Sequence, residues 1–297
     1  MTVDEAQAVA RLREGGVVAL PTETVYGLAG VFDREEAVEA IFHTKARPYF
    51  DPLIVHVLDV GQARPLVAEW PASVQALVER FWPGPLTVVL PKTERVSDRV
   101  TAGLPTVALR SPAHPVFRAV LRGVGKPLAA PSANRFGRTS PTAAGHVERE
   151  FGGRVPVVDG GTSEIGLEST VVAIEDGGVR VLRPGAVTEA MLRECLGSGV
   201  RVVHRTREDS PGHLEQHYQP EAPVWLVRTA EERRAHAGAA EMPLGDDPLL
   251  VARDLYGDLR RYSEAPPEGF VIRLDRRPHD GMWRAIRDRL ERAASRP

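Results

Sequence analysis

Apolar positions along this chain follow two spacings in turn, and the switches between them predict its elements. Val9, Leu12 and the alanines around them recur at helical spacing and stop at Gly15-Gly16. The run VVAL (17–20) that follows is short, continuous and apolar, as in a buried strand, and it enters a turn at Pro21. A helix is predicted over Arg34 to Thr44, carrying Lys45 and Arg47 at its exit, with Pro48 ending it. Beyond it LIVHV, LTVVL, TVALR, PVVDGG, STVVAI and VRVL read as strands, interleaved with helical stretches such as 71–81 and 142–150. The interleaving predicts an α/β domain that ends between Leu196 and Val203.

Residues 206–223, TREDSPGHLEQHYQPEAP, keep neither spacing and are rich in proline and histidine, so they read as a linker. Past them VWLV (224–227) and FVIRL (270–274) have strand character, while Leu249 to Tyr262 and Met282 to Ala293 return to helical spacing. The expected division is a first domain at 1–205, a linker at 206–222 and a small α/β domain at 223–297. At about 75 residues the last unit should lean on the first for stability.

Composition narrows the function classes. With 42% hydrophobic and 26% charged positions the chain reads as globular and soluble. Its single cysteine, Cys195, excludes an internal disulfide framework and any multi-cysteine zinc site. The N-terminus lacks an apolar signal core and no run reaches membrane-spanning length, so a cytoplasmic protein with no membrane role is expected. Residues 1–205 carry 23 cations and 23 acids, and residues 206–297 carry 15 and 17, so a general attraction to nucleic acid is not built in.

Three lysines stand among 38 Lys and Arg. Where arginine is the default cation, Lys45, two residues before Arg47, suggests a compact ammonium and a planar guanidinium working together on phosphate oxygens. As helix-exit cations the two are expected to be exposed. LPTETVYGLAG places Thr24 and Tyr26 where a strand ends, a frequent ligand position in open sheets. PLAAPSANRFGRTSPT (127–142) offers Ser132, Asn134 and Ser140, and GLESTVV with VLRPG adds Ser169 and Arg183 at further turn-to-strand junctions. Each segment also has a purely structural reading: a Thr-rich turn, a cation complementing a helix dipole, a loop whose hydroxyls satisfy its own backbone.

Taken together and in order, PTETVYGL, KARP with PLIVH, WPGPLTVVL, TAGLPTVALR, APSAN, ESTVV and LRPG resemble the YrdC-like family of L-threonylcarbamoyladenylate synthases. SPGHLEQHYQP is similar to the linker of that family's two-domain form. The resemblance implies a YrdC-like twisted open mixed sheet with helices, followed by a small Rossmann-like α/β domain. It implies a nucleotidyltransferase that makes threonylcarbamoyl-AMP and pyrophosphate from L-threonine, bicarbonate or CO2, and ATP with Mg2+. It implies further that a downstream threonylcarbamoyl-transferase complex uses the product to modify tRNA, and a direct tRNA contact is a further expectation. Threonine binding falls on Thr24, His56, Arg110, the Ala130 backbone and Ser169. ATP contacts fall on Tyr26, Lys45, Arg47, Asp51, Thr106, Ser132, Asn134, Ser140 and Arg183, with Lys45 and Arg47 acting on the phosphates in catalysis. Ser210, His217 and Tyr218 would belong to a linker that closes over the nucleotide as a lid.

The chain departs from the pattern at three places. Asp51 stands where the family usually has asparagine, so a carboxylate sits near phosphates and its role needs metal or Arg47 to compensate. Leu214 and Gln216 replace cationic positions of the linker, and the C-terminal unit is shorter than usual. An RNA-binding module of the same fold is the rival reading, with Arg135, Arg138, Arg149 and Arg154 as a basic rim. A carbamoyltransferase maturation factor would need cysteine-rich zinc modules, and a GTPase-like site would need a G-x-x-x-x-G-K-[ST] run; the sequence has neither.

Overall fold

A computed structural model describes residues 1–175, 178–197, 201–204, 217–264, 269–274 and 277–294. The expected linker contact Ser210 lies outside the described residues. Nine strands form one mixed sheet: β1 (Val18–Leu20), β2 (Gly27–Val31), β3 (Ile54–His56), β4 (Leu86–Pro91), β5 (Thr106–Arg110), β6 (Leu128–Ala129), β7 (Thr170–Glu175), β8 (Gly178–Arg183) and β9 (Arg201–His204). Their order is β1-β2-β6-β3-β5-β4-β7-β8-β9, and the sheet is curled and open. Parallel pairs (β3–β5, β4–β7, β8–β9) are set among antiparallel ones. This is the twisted mixed α/β sheet that the resemblance implies.

Helices cover the sheet through the apolar stripes that marked them in the sequence. Glu5–Arg13 and Pro115–Val124 bury Ala8, Leu12, Phe117, Val120 and Leu121 in one core cluster. Glu35–Lys45 and Ala72–Phe81 bury Ile41, Phe42, Val74 and Leu77 in a larger one. The segment PVVDGG is not a strand. Val157 makes isolated bridges to Thr2 and Ala19, after which Asp159-Gly160-Gly161 turns away. Conversely β2, with the sequence GLAGV, is a fully buried strand that its glycines and alanine disguise.

A second, parallel sheet of order β10-β12-β11 is formed by β10 (Val224–Val227), β11 (Ala240–Glu241) and β12 (Phe270–Arg273). Helices Pro248–Ser263 and Gly281–Ala293 pack on it. Its core does not close by itself: Val25 and Leu167 from the first unit and Tyr218 from the linker's end belong to the same apolar cluster. Gly166, at φ +75°, lies so close to the backbone of Ala252 and Arg253 that a Cβ would collide with it. The small unit leans on the first, as its size predicts.

Candidate functional site

Register across the large sheet lines up a row of functional side chains. His56 of β3 pairs with Arg110 of β5, Arg110 with Thr87 of β4, Thr87 with Val171 of β7, and Val171 with Arg183 of β8. Cross-strand partners project to one face, so residues far apart in sequence share one wall.

At the Arg110 end, Glu23, Thr24, His56, Thr87, Arg110 and Ser169 are all buried. Arg110 Nη2 is 2.7 Å from Glu23 Oε1, and its Nε donates to the Gly84 carbonyl. Burial would raise the Glu23 carboxyl, but the Arg110 guanidinium outweighs it and holds the acid ionised. The backbone N–H of Ala113 donates to the other Glu23 oxygen at 3.0 Å. His56 packs on Phe117 and is pushed down to about 3 by burial, reinforced by Arg110, so it is neutral at ordinary pH. Thr24 shares a 2.8 Å hydroxyl contact with Thr22. Ser169 Oγ meets Thr87 Oγ1 at 2.7 Å and accepts from Arg183 Nη2 at 3.1 Å. The Ala130 backbone N–H donates to the Ile54 carbonyl.

The cation pair is not exposed, contrary to the expectation for a helix exit. Lys45 is the last residue of its helix and 1% exposed, and Ala46 takes a left-handed turn (φ 49°) that sends Arg47 a different way. The carbonyls of Ser132 and Asn134 accept from Lys45 Nζ. Burial, then the nearby Arg47 charge, hold the ammonium well below its ordinary pKa. Arg47 donates to the Asp51 and Pro52 carbonyls and forms an ion pair with Asp51 Oδ2 at 2.9 Å. Asp51 is thus compensated by Arg47. Thr106 opens β5 at the end that, by the β3–β5 register, matches Pro52, two residues before Ile54. Arg183 is near enough to oppose the charge of Arg47, so three cations converge. Tyr26 is fully buried; its hydroxyl donates to the Gly161 carbonyl (2.7 Å), accepts from the Gly160 N–H, and is pushed up to about 12 by burial.

The described end of the linker sits against this cluster. His217 N–H donates to the Arg292 carbonyl, and Gln219 exchanges backbone bonds with Gly137 and Thr139 in the loop that follows Asn134. Tyr218 adopts φ 66°, a strained conformation for a bulky residue, with its carbonyl accepting from Thr139 Oγ1. His217 is driven to about 3, first by burial, and Lys45 and Arg47 add to the effect. Ser140 Oγ donates to Glu168 Oε1 at 2.6 Å. Glu168 Oε2 receives Tyr256 OH (2.8 Å) and Arg289 Nε (2.7 Å) from the second unit.

Among the described residues, seven buried side-chain polar atoms lack a hydrogen-bond partner, and His56 Nδ1, Asn134 Oδ1 and His217 Nδ1 are three of them. Unsatisfied buried atoms are uncommon, and these three are groups that a ligand could satisfy; the other four lie elsewhere. Sequence reasoning missed Glu23, Thr87, Glu168, Tyr256 and Arg289. Glu23 and Glu168 stood inside quoted motifs, each a carboxylate beside small hydroxyls. Arg289 interrupts the apolar series Met282, Ile286, Leu290, Ala293, and a charge in such a stripe calls for a buried partner. Of the expected basic rim, Arg149 pairs with Glu264.

The sequence matches the family described as Telomere recombination (Sua5, YciO, YrdC) over residues 10–185. It matches the family described as Threonylcarbamoyl-AMP synthase, C-terminal domain, over residues 187–295. A threonylcarbamoyl-AMP synthase of Bacillus subtilis is 44% identical over 78% of this chain and 68% of its own. One of Pyrococcus abyssi is 37% identical over 95% of this chain and 92% of its own. P. abyssi Sua5 complexed with L-threonine has a similar structure, with TM-score 0.89 at 33% identity, covering 99% of this chain and 97% of that one. Full-length HypF, at 18% identity and TM-score 0.55, covers 61% of this chain and 29% of that one and shares the fold alone.

Proposed function

The chain belongs to the Sua5, YciO and YrdC family, in the form with a threonylcarbamoyl-AMP synthase C-terminal domain, and from that premise we propose that it is a nucleotidyltransferase joining L-threonine, bicarbonate or CO2, and ATP. The observation that carries the reading is that the wall holding buried Arg110 also carries Arg183, on which Arg47 and, beside it, Lys45 converge from the end of helix Glu35–Lys45. Two anionic reactants need two cationic grips.

Arg110 takes the threonine carboxylate. With Nε on Gly84 and Nη2 on Glu23, its remaining N–H groups are free to bind a carboxylate, and Glu23 fixes the plane of the fork. Thr24, His56, Ser169 and the Ala130 backbone surround the rest of the amino acid. Neutral His56 offers a hydrogen-bonding nitrogen without adding charge. The carbamate oxygen of carboxylated threonine attacks the α-phosphorus, the bond between the α-phosphorus and its bridging oxygen breaks, and pyrophosphate leaves with the electron pair. Lys45, Arg47 and Arg183 neutralise the phosphates, with Thr106, Ser132, Asn134, Ser140 and Tyr26 around the nucleotide. Catalysis is then positioning and charge neutralisation without a covalent protein nucleophile.

Among the described residues no group of three or more His, Cys, Asp or Glu is placed to hold a metal ion, and Asp51 is engaged by Arg47. Mg2+ would come as an ion carried by the triphosphate, where it would neutralise further charge. The docking of His217 and Tyr218 beside Lys45 and Arg47 supports a linker that closes over the nucleotide and shields the acyl-phosphate anhydride from water. Among the described residues no helix is long and apolar enough to cross a membrane, in keeping with a cytoplasmic enzyme. Its product would pass to a separate transferase complex acting on tRNA.

The test is pyrophosphate release by purified protein with ATP, threonine and bicarbonate. Release should require all three; release that persists without threonine would identify a plain ATPase instead.

A further inference from the structure

We propose that Arg289, on the C-terminal helix Gly281–Ala293, is a positioning residue of the nucleotide site that sets, through Glu168, the direction in which the Ser140 hydroxyl faces its ligand. The inference rests on the reading above and deepens it, because it gives the second unit a part in nucleotide recognition.

Arg289 is wholly buried. Its Nε donates to Glu168 Oε2 at 2.7 Å, its Nη2 to the Pro184 carbonyl at 3.0 Å and its Nη1 to Asp288 Oδ2 at 2.6 Å. The guanidinium lies 5.4 Å from the ring centroid of Tyr218, the linker residue held in a left-handed conformation. Glu168 is the hinge of the arrangement: one oxygen meets Arg289 and Tyr256, and the other takes the proton of Ser140 at 2.6 Å.

A serine hydroxyl has one proton. While Glu168 is ionised, that proton is spent on Oε1, and Ser140 can show a ligand only lone pairs. Lone pairs suit a ribose hydroxyl or a base amino group and repel a phosphate oxygen. Ser140 therefore reads the nucleoside part of the nucleotide, and the phosphates fall to Lys45, Arg47 and Arg183. A protonated Glu168 would reverse this, donating to Ser140 Oγ and freeing the serine proton. The groups facing Glu168 are Arg289 on the last helix, itself paired with Asp288, Tyr256 on Pro248–Ser263, Tyr218 and His217 at the linker end, Arg183 on β8 and Ser140 itself. Burial drives the carboxyl up, and Arg289 is the largest influence bringing it down, to about 2. Arg183, the other cation, is also shared with Ser169.

The experiment measures KM for ATP and for threonine in the full chain and in Arg289→Met, Arg289→Lys and Tyr256→Phe, between about pH 5.5 and 8.5. Arg289→Met should raise the ATP KM by about ten-fold or more while the threonine KM moves by less than about two-fold. Its ATP KM should worsen further as pH falls, a step that the wild type lacks. Arg289→Lys should recover most of the loss because the cation is kept. Tyr256→Phe removes one donor without removing charge; it should show a smaller shift of the same kind and decides the question should Arg289→Met not fold. An unchanged ATP KM with no pH step, or equal rises for both substrates, would overturn the inference and leave Arg289 a docking residue. Absence of threonine-dependent pyrophosphate release in the wild type would overturn the functional reading as well.

Discussion

Individual residues act here through the partners that burial forces on them. Arg110 entered the expected site through the family resemblance alone, and the carboxylate the fold itself provides, Glu23, was not legible: its role depends on a contact 87 residues away. Replacing Arg110 by Lys exchanges a fork for a point charge, and the threonine KM should rise by about ten-fold with the ATP KM little changed. An unchanged threonine KM in steady-state kinetics would move the carboxylate site elsewhere. Lys45 carries a double load. Lys45→Ala leaves the carbonyls of Ser132 and Asn134 without their donor, so it should lose pyrophosphate release and also about 1–3 kcal/mol of stability in denaturant unfolding. A fully stable variant would mean that the two carbonyls find water instead.

Elements were legible where one period ran long enough. The helices Glu35–Lys45, Ala72–Phe81 and Pro248–Ser263 follow their apolar spacing to within a residue or two. β2 was hidden because its Gly and Ala are chosen for close packing against helix Glu35–Lys45 and the Ala130 turn, which strand propensity does not record. PVVDGG had strand composition, but Tyr26 takes its glycine backbone instead of a sheet neighbour. The linker's end had no period to read, and its fold comes from docking: His217 on Arg292, Gln219 on Gly137. His217→Ala and Tyr218→Phe should each raise the ATP KM and increase the leakage of hydrolysed product, AMP, while threonine binding measured by calorimetry stays as in the wild type. Product retention equal to wild type in both would leave the linker a tether.

For the whole molecule, charge stored in the interior couples stability to pH. His56 and His217 are held near 3, first by burial, well below the unfolded value near 6.5. The unfolded chain therefore binds more protons than the folded one as pH falls from about 6.5 towards 3, and stability declines through that window by up to about 1.4 kcal/mol per pH unit for each histidine. Glu168, held at about 2 against an unfolded value of 4.5, adds a further loss below pH 4.5. Thermal unfolding should show the decline beginning near pH 6; a flat profile down to pH 4.5 would mean that the histidines are solvated. The same interior joins the two units, since Glu168 is satisfied from both and their apolar cluster is shared. All of this serves one proposed reaction on one wall of the sheet. Its most direct test is mass spectrometry of the nucleotide formed from ATP, threonine and isotopically labelled bicarbonate. The account predicts threonylcarbamoyl-AMP carrying the label, made by the wild type and not by Lys45→Ala; unlabelled AMP or ADP as the sole nucleotide product would contradict it.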